Sequence, residues 1–240
     1  MRVAQESWNH GSLTIVAYRA PVAVLERRAE LRERLVAEAT AIVALQGWAG
    51  LTVVAVAAAA GISAGALYKH FPSKASLATE VFNRAAGREV DVLAAALADG
   101  SHPDVVSRLA SGVAAFAWRA VRGRQLAYSL IAEPVEPPIA AARLALRRRY
   151  RDIFATVIAE GIERGEMLGS QIPEISAAAL TGAVAEVLVG PLSAPTSGPA
   201  AELIVGQASA IALRCAGVIG TSPDTMAGGN HDPFASVQHP

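Results

Sequence analysis

Helix punctuation between Leu51 and Leu77 restricts what this stretch can form. Thr52 stands where an N-cap belongs, ahead of Val53, Val56 and Ala57 at helical spacing. Gly61 follows a run of alanines, at a point where a helix must end through a positive φ. Ile62 supplies the buried residue of the turn, and Ser63 caps a second helix whose Leu67 and Phe71 lie four apart. Pro72 stops that helix, because the residue before a proline is pushed out of the α region. Ser73 caps a third. Two short helices joined by a tight Gly turn make a helix-turn-helix unit, whose second helix can lie in a DNA major groove.

Charge across this unit adds to the reading. No carboxylate occurs between Glu38 and Glu80, while Lys69, His70 and Lys74 gather near the end of the second helix. A surface that approaches phosphates excludes acids and places cations at its rim. Lys74 follows a cap, where the helix dipole disfavours a cation and a phosphate would remove the objection. For either lysine alone, the competing role is an ordinary solvated side chain.

The segment resembles the DNA-binding domain of TetR-family transcriptional regulators. Gly47, Trp48, Thr52, Val56, Ala57, Ala60, Gly61, Ile62, Ser63, Gly65, Leu67, Tyr68, His70, Phe71, Ser73 and Lys74 fill that family's pattern in order. Two features depart from it. Ala75 stands where the family usually has an acid, and Val54, Ala55, Ala58 and Ala59 replace polar residues of the first helix. Thr52, Tyr68, His70 and Lys74 are therefore the expected phosphate contacts. Ser63, Ala64, Gly65, Ala66 and Lys69 are expected to face base edges, where alanine and glycine offer close approach but few hydrogen bonds.

Composition fits an Ala-rich helical globule: 52% hydrophobic, 5% aromatic and 18% charged, with net charge zero. Whole-chain electrostatics therefore carry no argument for nucleic acid. One cysteine, Cys215, excludes an intrachain disulfide and suits a reducing cytosol, so the expected localisation is cytoplasmic. The apolar run from Ala39 to Tyr68 is broken by glycines and polar residues, and the run from Ile175 to Ala201 carries Glu186. Neither reads as a membrane span, and no signal peptide is expected.

The periodicity predicts an all-α chain. Residues 1–22 read as a disordered extension, 23–75 as the helix-turn-helix domain, 76–219 as a helical ligand-binding and dimerisation domain, and 220–240 as a disordered tail. A first helix is expected from Val24 to Gln46, ended by Gly47. A long one runs to Leu97, and the next starts at Ser101, with Pro103 and Asp104 in its first turn. The prolines of 133–138 force an extended turn ahead of a helix from Ile139 to Glu166. Two further helices begin at Pro173 and Pro199. They are so rich in small and apolar residues that burial against a second subunit is expected.

No phosphate-binding Gly loop, metal-ligand spacing or catalytic constellation is visible, so neither enzyme activity nor a cofactor is expected. The resemblance implies a homodimeric, ligand-responsive regulator, a repressor released from its double-stranded DNA operator by a small molecule. Candidate ligand-binding residues are Phe116, Arg119, Tyr128, Glu133, Tyr150 and Phe154, with core packing as the competing role for each aromatic. The alternative is an enzyme or small-molecule carrier with a vestigial helix-turn-helix, which the alanines of the DNA-facing helices favour.

Overall fold

The computed structural model describes residues 22–192 and 197–219. Among these, the secondary structure is helical, apart from a single bridge between Met167 and Val218. The order is α1 (Val22–Gly50), α2 (Val53–Ala59), α3 (Ala64–Tyr68), α4 (Lys74–Ala98), α5 (Val105–Arg122), α6 (Arg124–Ile131), α7 (Pro137–Glu163), α8 (Pro173–Leu192) and α9 (Pro199–Cys215). The expected extension and tail lie outside the described residues, apart from Val22 and the residues up to Ile219 that border them.

Two hydrophobic cores share the long helix α4. The first gathers Leu35, Val36, Ala39 and Val43 of α1 around Val56, Leu67, Phe71, Leu77, Val81 and Phe82. The second begins at Leu93 and joins α5, α7, α8 and α9 through Leu109, Val113, Ile158, Leu180, Leu188 and Val205. The cores part inside α4, between Val90 and Leu93. A rigid helix thus runs unbroken from one to the other.

The local caps form where the sequence puts them. Thr52, Ser63 and Ser73 each accept a hydrogen bond from the backbone three residues on, and Ser73 pairs reciprocally with Ser76. Three helix boundaries differ from expectation. α1 is interrupted at Gly47 (φ 69°, ψ −172°) and resumes for a short stretch instead of ending there. α5 starts at Val105 with Asp104 as its cap, because the Ser101 hydroxyl turns back to Asp99 at 2.8 Å. α7 starts at Pro137, since proline is tolerated in a first turn, and it ends at Glu163.

α8 is long and apolar enough to cross a membrane by length and composition alone. Here it packs along α7 and α9, with Leu180 and Leu188 fully buried. Its opposite face exposes Ala178, Ala179, Gly182, Glu186 and Gly190. The Cys215 thiol is half-buried, and burial raises its pKa, as expected of a packing residue.

Candidate nucleic-acid interface and interior cavity

Helix α3 is five residues long, so one turn decides what it shows. Leu67 points into the core at 0% exposure, and Phe71 follows it at 1%. That orientation leaves Gly65, Tyr68 and Lys69 exposed, with Ala64 and Ala66 half-exposed. A Cβ on Gly65 would meet nothing nearer than the Ser63 hydroxyl at 4.0 Å, so this face is open to a close-fitting partner. Thr52 and Ser63 are exposed at the starts of α2 and α3, and each hydroxyl also serves as a cap, at 3.1 and 3.2 Å. Lys74, exposed, is the first residue of α4.

Two arginines of α1 complete this surface, and sequence reasoning did not single them out. Arg28 donates to the Lys69 carbonyl at 3.1 Å, and Arg32 donates to the His70 carbonyl at 2.9 Å. Arg32 also lies 4.1 Å from the centre of the Phe71 ring and pairs with Glu80 at 3.2 Å. Cations there satisfy carbonyls that the end of α3 leaves open. Their signal was the i, i+4 spacing of Arg28 and Arg32 beside the stripe of Leu31 and Leu35. Burial, followed by Arg28 and Arg32, lowers the His70 pKa, so its imidazole is neutral near pH 7. It offers a hydrogen bond there, not a charge. Of the carboxylates bounding the acid-free interval, Glu80 is occupied by Arg32 and Arg84.

Lys74→Ala is expected to weaken binding to all duplex sequences alike and to lower the magnitude of the salt slope by about one unit. Fluorescence anisotropy across a salt series measures it. Wild-type affinity at every salt concentration would remove Lys74 from the phosphate contacts.

The second region is a cavity of about 450 Å³ between α4, α5, α6 and α7. Its wall is mainly apolar, with Phe116, Leu126, Leu130 and Leu146 prominent, and Glu89, Arg119, Arg122 and Tyr150 are its ionisable residues. Arg119 makes a bidentate pair with Glu89, at 2.8 Å from Nε and 2.6 Å from Nη2. That pairing raises the guanidinium pKa. Tyr150 meets Phe116 edge-on at 5.5 Å, and burial pushes its phenol well above the ordinary range. A smaller inner chamber shares Phe116, Leu130, Leu146 and Tyr150 and continues to Phe154.

The structure therefore brings Phe116, Arg119 and Tyr150 into one wall, with Phe154 at its inner end. Tyr128 and Glu133 do not line this space. Glu133 has another task. Its carboxylate accepts from the Trp48 backbone N–H at 2.9 Å and from the Ser129 hydroxyl at 2.5 Å. The Trp48 indole N–H donates to the Ser129 carbonyl, also at 2.9 Å. Arg143 closes the other side, donating to the carbonyls of Ser129, Leu130 and Glu133. The end of α6 is thus clamped to the Gly47–Trp48 corner from which α2 departs. Among the described residues, no set of metal-ligating side chains converges.

Residues 35–81 match the family model for bacterial regulatory proteins of the tetR family. Over that stretch the chain is similar to the DNA-binding domain of this family. Solved structures agree in fold. A TetR regulator from Chloroflexus aurantiacus is 24% identical, at a TM-score of 0.65, over 77% of this chain and 95% of that one. SmeT, repressor of the Stenotrophomonas maltophilia multidrug efflux pump SmeDEF, is 20% identical at 0.62, covering 80% and 95%. FadR from Bacillus subtilis, solved with stearoyl-CoA, is 15% identical at 0.63, covering 79% and 99%. No curated protein matches the sequence. The match over residues 35–81 marks a DNA-binding regulatory domain, and the structural likenesses show an all-α architecture.

Proposed function

We propose that this regulator is a cytoplasmic repressor that holds its operator as a homodimer and releases it when a small molecule fills the cavity beside α6. One observation carries the reading. α6 lines the cavity with Leu126, Ala127, Leu130 and Ile131, and through Ser129 and Glu133 the same helix end grips the Gly47–Trp48 corner. A ligand that shifts α6 thereby shifts the start of α2. The energy comes from its unequal affinity for the two arrangements. In this reading Thr52, Tyr68, His70 and Lys74 position phosphates, and Ser63, Ala64, Gly65, Ala66 and Lys69 face the bases. Since these residues offer few hydrogen bonds, operator choice leans on Lys69 and on DNA shape.

The paired state rests on the exposed small-residue face of α8 and on α9, where Leu203 is 63% exposed. Together with the two-fold mates these helices make a four-helix bundle, which sets two α3 helices on one face of DNA.

Tyr150 tests the effector role. A compound found by thermal-shift screening of the full chain is titrated against the protein bound to DNA from upstream of its own gene. Tyr150→Phe is expected to raise the dose needed for release while leaving operator affinity unchanged. If operator affinity falls as well, Tyr150 supports the fold and is not part of the response.

A further inference from the structure

The hydrogen-bonding groups that the cavity wall leaves open select a ligand chemistry. Glu89 is the carboxylate of the wall, and both its oxygens already accept from Arg119. Arg119 and, one helical turn on, Arg122 are the cations of the same wall, and Arg122 lies 5.6 Å from the centre of the Trp118 ring. Arg119 spends two of its five N–H donors on Glu89, so three are left for other acceptors. The Tyr150 hydroxyl makes no hydrogen bond among the described residues, and its raised pKa keeps the proton on oxygen. What the wall offers an incoming molecule is therefore donors. The remaining surface is apolar and continues past Phe116 into the inner chamber, whose mainly apolar lining includes Phe154 and also carries Arg143, Arg147 and Thr181.

We infer that the effector is an amphiphilic organic acid, its anionic head held by Arg119 and the Tyr150 hydroxyl and its apolar tail lying along Leu130 and Leu146 toward Phe154. This rests on the cavity being the effector site. A partly buried guanidinium recognises a carboxylate through charge-assisted hydrogen bonds, and an unpaired phenol within the same wall adds a neutral donor. A cation of the same shape meets a carboxylate that is already paired with Arg119. An alcohol keeps the apolar contacts but gives up the charge-assisted bond.

Three probes with the same straight alkyl tail separate these cases: decanoate, decan-1-ol and decyltrimethylammonium, each titrated calorimetrically into the full chain. Decanoate is expected to bind about tenfold or more tighter than the ammonium, with the alcohol between them. Two variants move the preference in opposite directions. Glu89→Gln frees Arg119 from its internal anion, so decanoate should tighten and the ammonium weaken. Arg119→Met leaves Glu89 unpaired, and the preference should reverse. A purely structural role for the pair would not produce opposite shifts. If Arg119→Met does not fold, Glu89→Gln alone decides. The inference is overturned if the ammonium binds wild type as tightly as decanoate, or if Glu89→Gln leaves decanoate affinity unchanged or weaker. In both cases the cavity still holds ligands and only the ligand class is wrong. If none of the three probes binds, the cavity is not the effector site, and the inference falls with it.

Discussion

Gly47→Ala is expected to destabilise the protein by about 3 kcal/mol, from backbone strain and a lost charge-assisted hydrogen bond together. At φ 69° and ψ −172° the residue occupies a region that is almost closed to side chains. A Cβ there would also lie 2.7 and 2.8 Å from the two Glu133 carboxylate oxygens. The carboxylate must then move, and it is the acceptor for the Trp48 N–H. Gly61→Ala is the control. It too has a positive φ, 67°, but a Cβ on Gly61 meets nothing within 4 Å. That change should cost only about 1 kcal/mol, the backbone component alone. Urea unfolding at a fixed protein concentration compares the two variants, with unchanged m-values as the condition for reading midpoints as stability. Equal losses would mean that the Glu133 clamp contributes nothing beyond the turn. The clamp also predicts a functional consequence: Gly47→Ala should blunt ligand-induced release more than Gly61→Ala does.

What could be read in the sequence was whatever the chain settles locally. Thr52, Ser63 and Ser73 cap because the acceptor and the N–H it meets are three residues apart. The burial of Leu67 and Phe71 followed from a spacing of four. The misread start of α5 shows where local reasoning ends. Ser101 reads as the cap and Asp104 as an acid of the first turn, whereas Asp104 is the cap in the structure. The choice depends on Asp99 holding Ser101 and on Glu166, sixty-one residues away, accepting from the Val105 N–H at 2.7 Å. Glu133 failed as a cavity residue for the same reason. Its partner Trp48 is 85 residues distant, and no periodicity within α6 or α7 reports on it. Glu89 was missed because an acid in a mixed helix looks like solvated surface until α5 brings Arg119 to it. The aromatic wall was easier: with so few aromatics in the chain, Phe116 and Tyr150 had little competition.

Gly182→Arg is expected to abolish the dimer and, with it, roughly a hundredfold or more of operator affinity, since two linked reading heads gain by effective concentration. The substitution probes the outer side of α8, where the helix backbone leaves room for a side chain to start. Gly182 is exposed in the middle of α8, and a Cβ there meets nothing within 4 Å. Replacing a mid-helix glycine even favours the helix, by about 1 kcal/mol before packing is considered. The first atom of the new side chain thus meets nothing of its own protomer, and the large effect is expected at the contact with a second molecule. It would bring a bulky cation into a surface built from Ala178, Ala179 and Gly182, where close backbone approach needs small side chains. Far-ultraviolet circular dichroism should match wild type, and sedimentation should report the protomer mass of 24.7 kDa. A single half-site should still be bound, weakly and with the salt slope of one reading head, because α2 and α3 are untouched. A variant that sediments at twice the protomer mass would place the two-fold contact away from Gly182. The small-residue face of α8 would then need another explanation.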